Sequence, residues 1–286
     1  MNMNRAFILQ EAQKCTDLPS FPNVVLALEQ AFQSPDVGIY DVARLVEQDA
    51  SMAARFLKVA NSALYSSTRE AKDVNQAVLR LGLDEARRLA ICSGVLGTYG
   101  ELGGKEALTF WKHNLSVAMI AEGLAKKSTV FSQDEKNSVF TAGILHDLGA
   151  LLFAHLFLDE VAAMAQQAES SSVSLCFLER TEWGIDHAEL GEVLARKWDL
   201  PSPLPEVIRF HHDPDKAPDD VRNMVQLIHV ANFMANNRGF RRGEEVHADV
   251  CNDTAFDALG FSVAEIPDLI DEAELLAGHG EQLAKS

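Results

Sequence analysis

The chain has 286 residues, enough for one large or two modest domains, and its 47% apolar and 23% charged content is that of an ordinary globular protein. A formal net charge of −17 argues against bulk nucleic-acid binding, which needs a positive surface to displace phosphate counterions. The four cysteines (Cys15, Cys92, Cys176, Cys251) lack CxxC or CxH spacing, and the first residues lack the basic-flanked apolar core of an export signal, so buried thiols in a reducing cytoplasm are expected.

Apolar spacing predicts a leading helix within 1–17 (Phe7, Ile8, Ala12), ended by Leu18-Pro19-Ser20-Phe21-Pro22. A helix follows with Val24, Val25, Leu28 and Phe32 on one face, and Ser34-Pro35-Asp36 punctuates it. Further helices are expected over 40–48, 51–61 and 73–81, with Gly82 as a C-cap, and from Asp84 to about Leu96. Thr98–Lys105 (TYGELGGK) is the most glycine-rich interval and reads as a linker. It fails as a phosphate loop, because Tyr99 stands where the first glycine belongs and Glu106 replaces Ser or Thr. Longer helices are predicted over 106–127, 135–157, 159–169, 173–183, 186–198, 203–212 and 220–236. Asn237–Glu245 reads as a basic loop (Arg238, Arg241, Arg242), most simply a solvated one. The tail 254–284 carries amphipathic pieces expected to pack back as a small cap. No stretch alternates for long in the manner of a strand, so the expectation is all-α. Its divisions fall at 1–100, 101–240 and 241–286.

The organising stretch is Gly143-Ile144-Leu145-His146-Asp147-Leu148-Gly149, set inside the apolar run Val139–Leu158. That run reads as one buried helix. Its two histidines and one aspartate, and the break at Asp159-Glu160, argue against a membrane span. An ionised carboxylate in a core costs several kcal/mol unless a cation or metal pairs with it. Other inward stripes carry polar residues too: His113 with Val117, Ile120 and Leu124; His187 with Leu190, Leu194 and Trp198; His211-His212 after Leu204, Val207 and Ile208; and Asn232 after Val221, Val225 and Ile228. Taken singly, each histidine is more simply a core residue bonded to a backbone carbonyl, and Asn232 a structural hydrogen-bonder. Taken together, His113, His146, Asp147, His187, His211 and His212, with Asn232 as a further neutral candidate, point to one polar centre. Such a centre suits one or two divalent transition-metal ions: iron, manganese, nickel or zinc. A relic centre, hydrogen-bonded internally and metal-free, is the alternative. His155, His229, His247 and His279 carry no such argument. His187-Ala188-Glu189 imitates the H-x-E of zinc deaminases, but no P-C-x-x-C follows.

These blocks, in this order, resemble the HD superfamily of metal-dependent phosphohydrolases, and more closely its HDOD branch of bacterial signalling domains. The first half carries Leu18-Pro19-x-Phe21-Pro22, Gln48-Asp49-Ala50, Ala60-Asn61-Ser62-Ala63-x-Tyr65 and Ala77-Val78-x-x-Leu81-Gly82. The second carries Trp111-Lys112-His113, the 143–149 stretch, His187-Ala188-Glu189-Leu190-Gly191, Trp198-Asp199-Leu200-Pro201 and Ile208-Arg209-Phe210-His211-His212. The resemblance implies an HDOD-type helical N-terminal bundle packed on an HD-type helical core. It also implies metal ligands at His113, His146, Asp147 and a final Asp, with His187, His211 and His212 added as in relatives that hydrolyse cyclic di-GMP. Here the final Asp is Asn232, and the Lys that follows the His-Asp motif in those relatives is Ala150. The resemblance therefore implies a signalling or regulatory protein that keeps part of the metal site and binds other signalling proteins or a nucleotide. The alternative is a metal-dependent phosphohydrolase acting on a nucleotide or cyclic dinucleotide, where the ion would polarise the phosphoryl group and acidify an attacking water.

Overall fold

The computed structural model describes residues 3–15, 22–32, 34–63, 65, 69–102, 106–171, 173–237, 253–262, 265, 268–269 and 271, and all regular structure among them is helical. The chain divides into two compact units, one built on Pro19–Glu101 and one on Met1–Leu18 together with Leu102–Glu281. The leading helix α1 (Arg5–Lys14) thus groups with the second half.

The first unit holds α2 (Asn23–Phe32), α3 (Ile39–Val46), α4 (Ala50–Ala60), α5 (Val74–Leu81) and nearly all of α6 (Leu83–Leu102). Short polar caps start α4 and α5. Asp49 accepts from the backbone N–H of Ser51 and Met52 at the head of α4, and Asp73 from that of Gln76 at the head of α5. Gly82, at φ 81°, ends α5 in a conformation glycine adopts without penalty. The core gathers Val25, Leu28, Val42, Val46, Phe56 and Val78. Thr98–Leu102 continues α6, where a linker was expected. Each glycine of α6 (Gly94, Gly97 and Gly100) costs the helix only about 1 kcal/mol relative to Ala, and the helix runs through all three. Gly103, Gly104 and Lys105 lie outside the described residues.

In the second unit α7 (Glu106–Lys127) packs on α8 (Gln133–Leu145) and on α14 (Arg222–Asn237). α9 (Leu148–Leu156) packs on α12 (His187–Lys197), and α12 on α13 (Leu204–Phe210). Between them run α10 (Leu158–Ser171) and α11 (Leu175–Leu178), which passes into a π-helical turn at Glu179–Trp183; α15 (Asp253–Ala258) follows α14. Gln133–Leu156 has the length and apolarity of a membrane span, but most of it is buried inside this unit. Leu259 and Phe261 are buried as well, and Ser128 Oγ donates to the Leu259 carbonyl at 2.8 Å. The loop residues Arg238, Arg241 and Arg242 and the tail from 272 onward lie outside the described residues.

The single helix expected over 135–157 is in fact two, broken at His146-Asp147. In an unbroken helix the carbonyls of Gly143 and Ile144 would accept from the N–H groups of Asp147 and Leu148. Side chains take them up here: His146 Nδ1 meets the Gly143 oxygen at 2.8 Å, and Asn114 Nδ2 donates to the Ile144 oxygen at 3.0 Å. Polar groups inserted into the ladder are a standard cause of a helix break. Asp147, at φ −98° and ψ 18°, leaves the helical path.

Candidate metal centre

Six side chains converge within the second unit. Asp147, His187, His211 and His212 form one cluster of metal-competent atoms, and His113, His146 and Asp147 form another, with the atoms of each lying within 4.8 Å of one another. Asp147 belongs to both. Its Oδ1 faces His187 Nε2 at 3.3 Å and His211 Nε2 at 3.6 Å, and its Oδ2 faces His146 Nε2 at 3.7 Å and His113 Nε2 at 3.8 Å. These separations are long for hydrogen bonds. They approach the roughly 3.3 Å between two donors that share a tetrahedral ion through bonds of about 2.0 Å. Asn232 is also buried, on α14, and its amide oxygen accepts from Asn236 Nδ2 at 3.1 Å.

Hydrogen bonds on the far side of each ring select the tautomer. His146 Nδ1 meets the Gly143 carbonyl, and His211 Nδ1 meets the Ile208 carbonyl at 2.9 Å. A carbonyl oxygen only accepts, so each Nδ1 carries the proton and each Nε2 turns a lone pair toward Asp147. Burial drives the His146 pKa well below the ordinary histidine value, with His211 and His113 adding to the effect against the pull of Asp147. Burial and His212 bring His211 down to about 4. Both rings are therefore neutral near pH 7, the form a metal requires. Nε2 of each is buried with no hydrogen-bond partner. Two orphaned lone pairs beside a buried carboxylate fit a divalent cation. His187 Nε2 and His212 Nε2, 2.8 Å apart, can share one proton or offer both lone pairs to an ion.

Two supporting residues escaped the sequence reading. Glu179, 2% exposed at the start of the π-helical turn, accepts from His187 Nδ1 at 2.6 Å and from the His187 backbone N–H at 2.9 Å. The one trace it left was an acid closing the apolar run Leu175–Leu178. His229, set aside above, is buried on α14, and its Nδ1 donates to the His211 carbonyl at 2.8 Å. Close backbone contacts bring the helices to this spot. A β-carbon on Gly143 would lie 2.5 Å from Ala118 Cα, so α7 and α8 meet backbone to backbone beside His113 and His146. Gly149 and Gly191 do the same for α9 and α12 beside Asp147 and His187.

A helical unit centred on a His-Asp pair, with further histidines brought in by neighbouring helices, defines the class of HD-type domains. A family model for the HDOD domain matches residues 18–214, and the chain belongs to that family. It is similar to an HDOD domain protein of unknown function from Geobacter sulfurreducens, with 26% identity, coverage of 97% of this chain and 98% of the other, and a TM-score of 0.79. It is similar also to a Shewanella amazonensis SB2B protein named as a candidate phosphohydrolase, with 26% identity, coverage of 98% and 97%, and a TM-score of 0.71. An uncharacterized protein of Treponema pallidum (strain Nichols) is 28% identical over 222 residues, 78% of this chain. The match spans only 43% of that relative's length.

Proposed function

We propose that this chain is a cytoplasmic HDOD regulatory module whose second unit holds a divalent transition-metal ion, and that it acts by binding a signalling partner or a nucleotide rather than by turnover. The observation that carries the reading is that Asp147 is the sole carboxylate in both clusters, among five histidines. Against that carboxylate one divalent ion leaves a single excess positive charge and two leave three; the Glu179 carboxylate behind His187 lowers each figure by one, and two ions still leave a costly excess in a buried site. Residue 232 is an uncharged Asn, and residue 150, where the resemblance looks for a phosphate-neutralising Lys, is a buried Ala. Those two differences remove charge that phosphoryl transfer uses.

The second reading is a phosphohydrolase, favoured by the intact His113–His146–Asp147 cluster and by the name of the Shewanella relative. An ion at the centre would supply Lewis acidity toward a phosphoryl oxygen. Elemental analysis of untagged protein, coupled to a phosphate-release panel of nucleotides and cyclic dinucleotides, tests both. The regulatory reading expects near-stoichiometric transition metal in the wild type, none in Asp147→Ala, and no phosphate released. A metal-free wild type overturns the metal centre, and release lost in Asp147→Ala overturns the regulatory assignment in favour of the enzyme.

A further inference from the structure

We infer that Glu179 and Arg180, adjacent on the π-helical turn, are positioning residues that assemble the half-site formed by Asp147, His187, His211 and His212. The inference rests on the reading that this cluster holds a metal ion. It goes further in assigning that ion to one half of the centre, and the assembly of that half to one turn.

The turn reaches both segments that carry the half-site histidines. Glu179 grips His187 twice, through the backbone N–H and through Nδ1, with one carboxylate oxygen. That grip sets the ring plane and directs Nε2 toward Asp147 Oδ1. The buried negative charge behind the ring also strengthens the donor power of the imidazole toward a cation. Arg180 spans the other gap. Its Nε pairs with Asp186, and its outer nitrogen pairs with Asp213 at 2.7 Å. Asp186 is the N-cap of α12 and accepts from the Glu189 backbone N–H at 2.7 Å, immediately before His187. Asp213 immediately follows His211-His212. One guanidinium therefore ties the head of the helix bearing His187 to the segment bearing the histidine pair, which His229 holds by the His211 carbonyl.

A π-helical turn is rare and tends to mark function. Widening the helix by one residue places consecutive side chains, an acid and a base, on two different partners. Gly184 ends the turn in the left-handed region at φ 72°, which leaves two residues before His187. The other half-site, His113 and His146, reaches the shared carboxylate through its second oxygen, Oδ2. The ion goes to the side that Glu179 and Arg180 build.

Cobalt(II) is the probe, because its visible absorption reports ligand geometry independently of any activity. Wild-type protein stripped with chelator is titrated with cobalt beside Glu179→Ala, Glu179→Gln and Arg180→Ala, with circular dichroism confirming that each variant is folded. Glu179→Ala is expected to bind roughly 10- to 100-fold more weakly, with an altered visible spectrum. Glu179→Gln keeps an acceptor oxygen for His187 and is expected to fall between wild type and Ala, with the wild-type spectrum retained. Arg180→Ala is expected to weaken binding as well. Folded Glu179→Ala that matches the wild type in affinity and spectrum overturns this inference and leaves the metal reading intact. A wild type that takes up no cobalt overturns the metal reading itself. Should Glu179→Ala not fold, the Gln variant decides: wild-type affinity in Gln together with unchanged binding by Arg180→Ala overturns the inference.

Discussion

Gly149 and His187 meet backbone to backbone: a β-carbon on the glycine would stand 1.8 Å from the histidine carbonyl oxygen and 2.4 Å from the Gly191 nitrogen. No side-chain adjustment relieves a clash with main chain, so α9 and α12 would have to separate. Their separation would carry His187 away from Asp147. Gly149→Ala is therefore expected to destabilise the protein by about 3 kcal/mol or more, at the upper end for overpacking, and to abolish metal uptake. Urea midpoints and elemental analysis check the two effects. A variant as stable as the wild type would show that the contact is slack.

In the first unit, Arg87 on α6 forms a two-pronged pair with Glu29 on α2, Nε to Oε1 at 3.0 Å and an outer nitrogen to Oε2 at 2.8 Å, with both side chains nearly buried. Removing one partner leaves the other charge poorly solvated. Glu29→Ala is expected to cost about 3 kcal/mol, and a Glu29→Gln, Arg87→Met double variant much less than the sum of its single changes. Chemical denaturation of the wild type, Glu29→Gln, Arg87→Met and the double variant measures the coupling, and Glu29→Ala measures the cost of the unpaired charge.

Acid should weaken the metal-free protein through His146 and His211. Both have folded-state pKa values below the ordinary 6.5, His211 at about 4. Above pH 6.5 each is neutral whether folded or unfolded, and its contribution is complete. For His211, between pH 6.5 and about 4 the unfolded chain takes up protons that the folded chain refuses, so stability falls by up to about 1.4 kcal/mol per pH unit, and His146, also lowered, acts in the same direction. Urea midpoints of chelator-treated protein from pH 7.5 to 4.5 are expected to drop accordingly. His211→Phe should flatten the curve, and an unchanged slope in that variant would exclude His211 as the source.

A carboxylate placed at position 232 tests how many ions the centre can neutralise. Asn232→Asp adds a carboxylate to a helix that packs against α7, which carries His113, and is expected to raise transition-metal content from about one ion per chain toward two. Calorimetric titration with manganese or zinc after chelation counts the ions. Stoichiometry that stays at one would place residue 232 outside the centre.

The helical class, the inward histidines and the carboxylate among them were legible in the chain because they depend on short-range periodicity. A polar residue that recurs on an apolar stripe at 3.6-residue spacing declares its direction before any partner is known. His113, His187 and His211, read that way, are all buried on the expected faces.

What periodicity could not express was decided by contacts between distant segments. The local contact of the His146 ring with the Gly143 carbonyl does not by itself announce a break; the break also needs Asn114, from another helix, to take the Ile144 carbonyl that would have continued the ladder. Glu179 and His229 read as an ordinary acid and a spare histidine until folding set them behind His187 and His211. A sequence states which side chains face inward, but which of them meet depends on backbone approaches, at Gly143, Gly149 and Gly191, that exist only once the helices have packed.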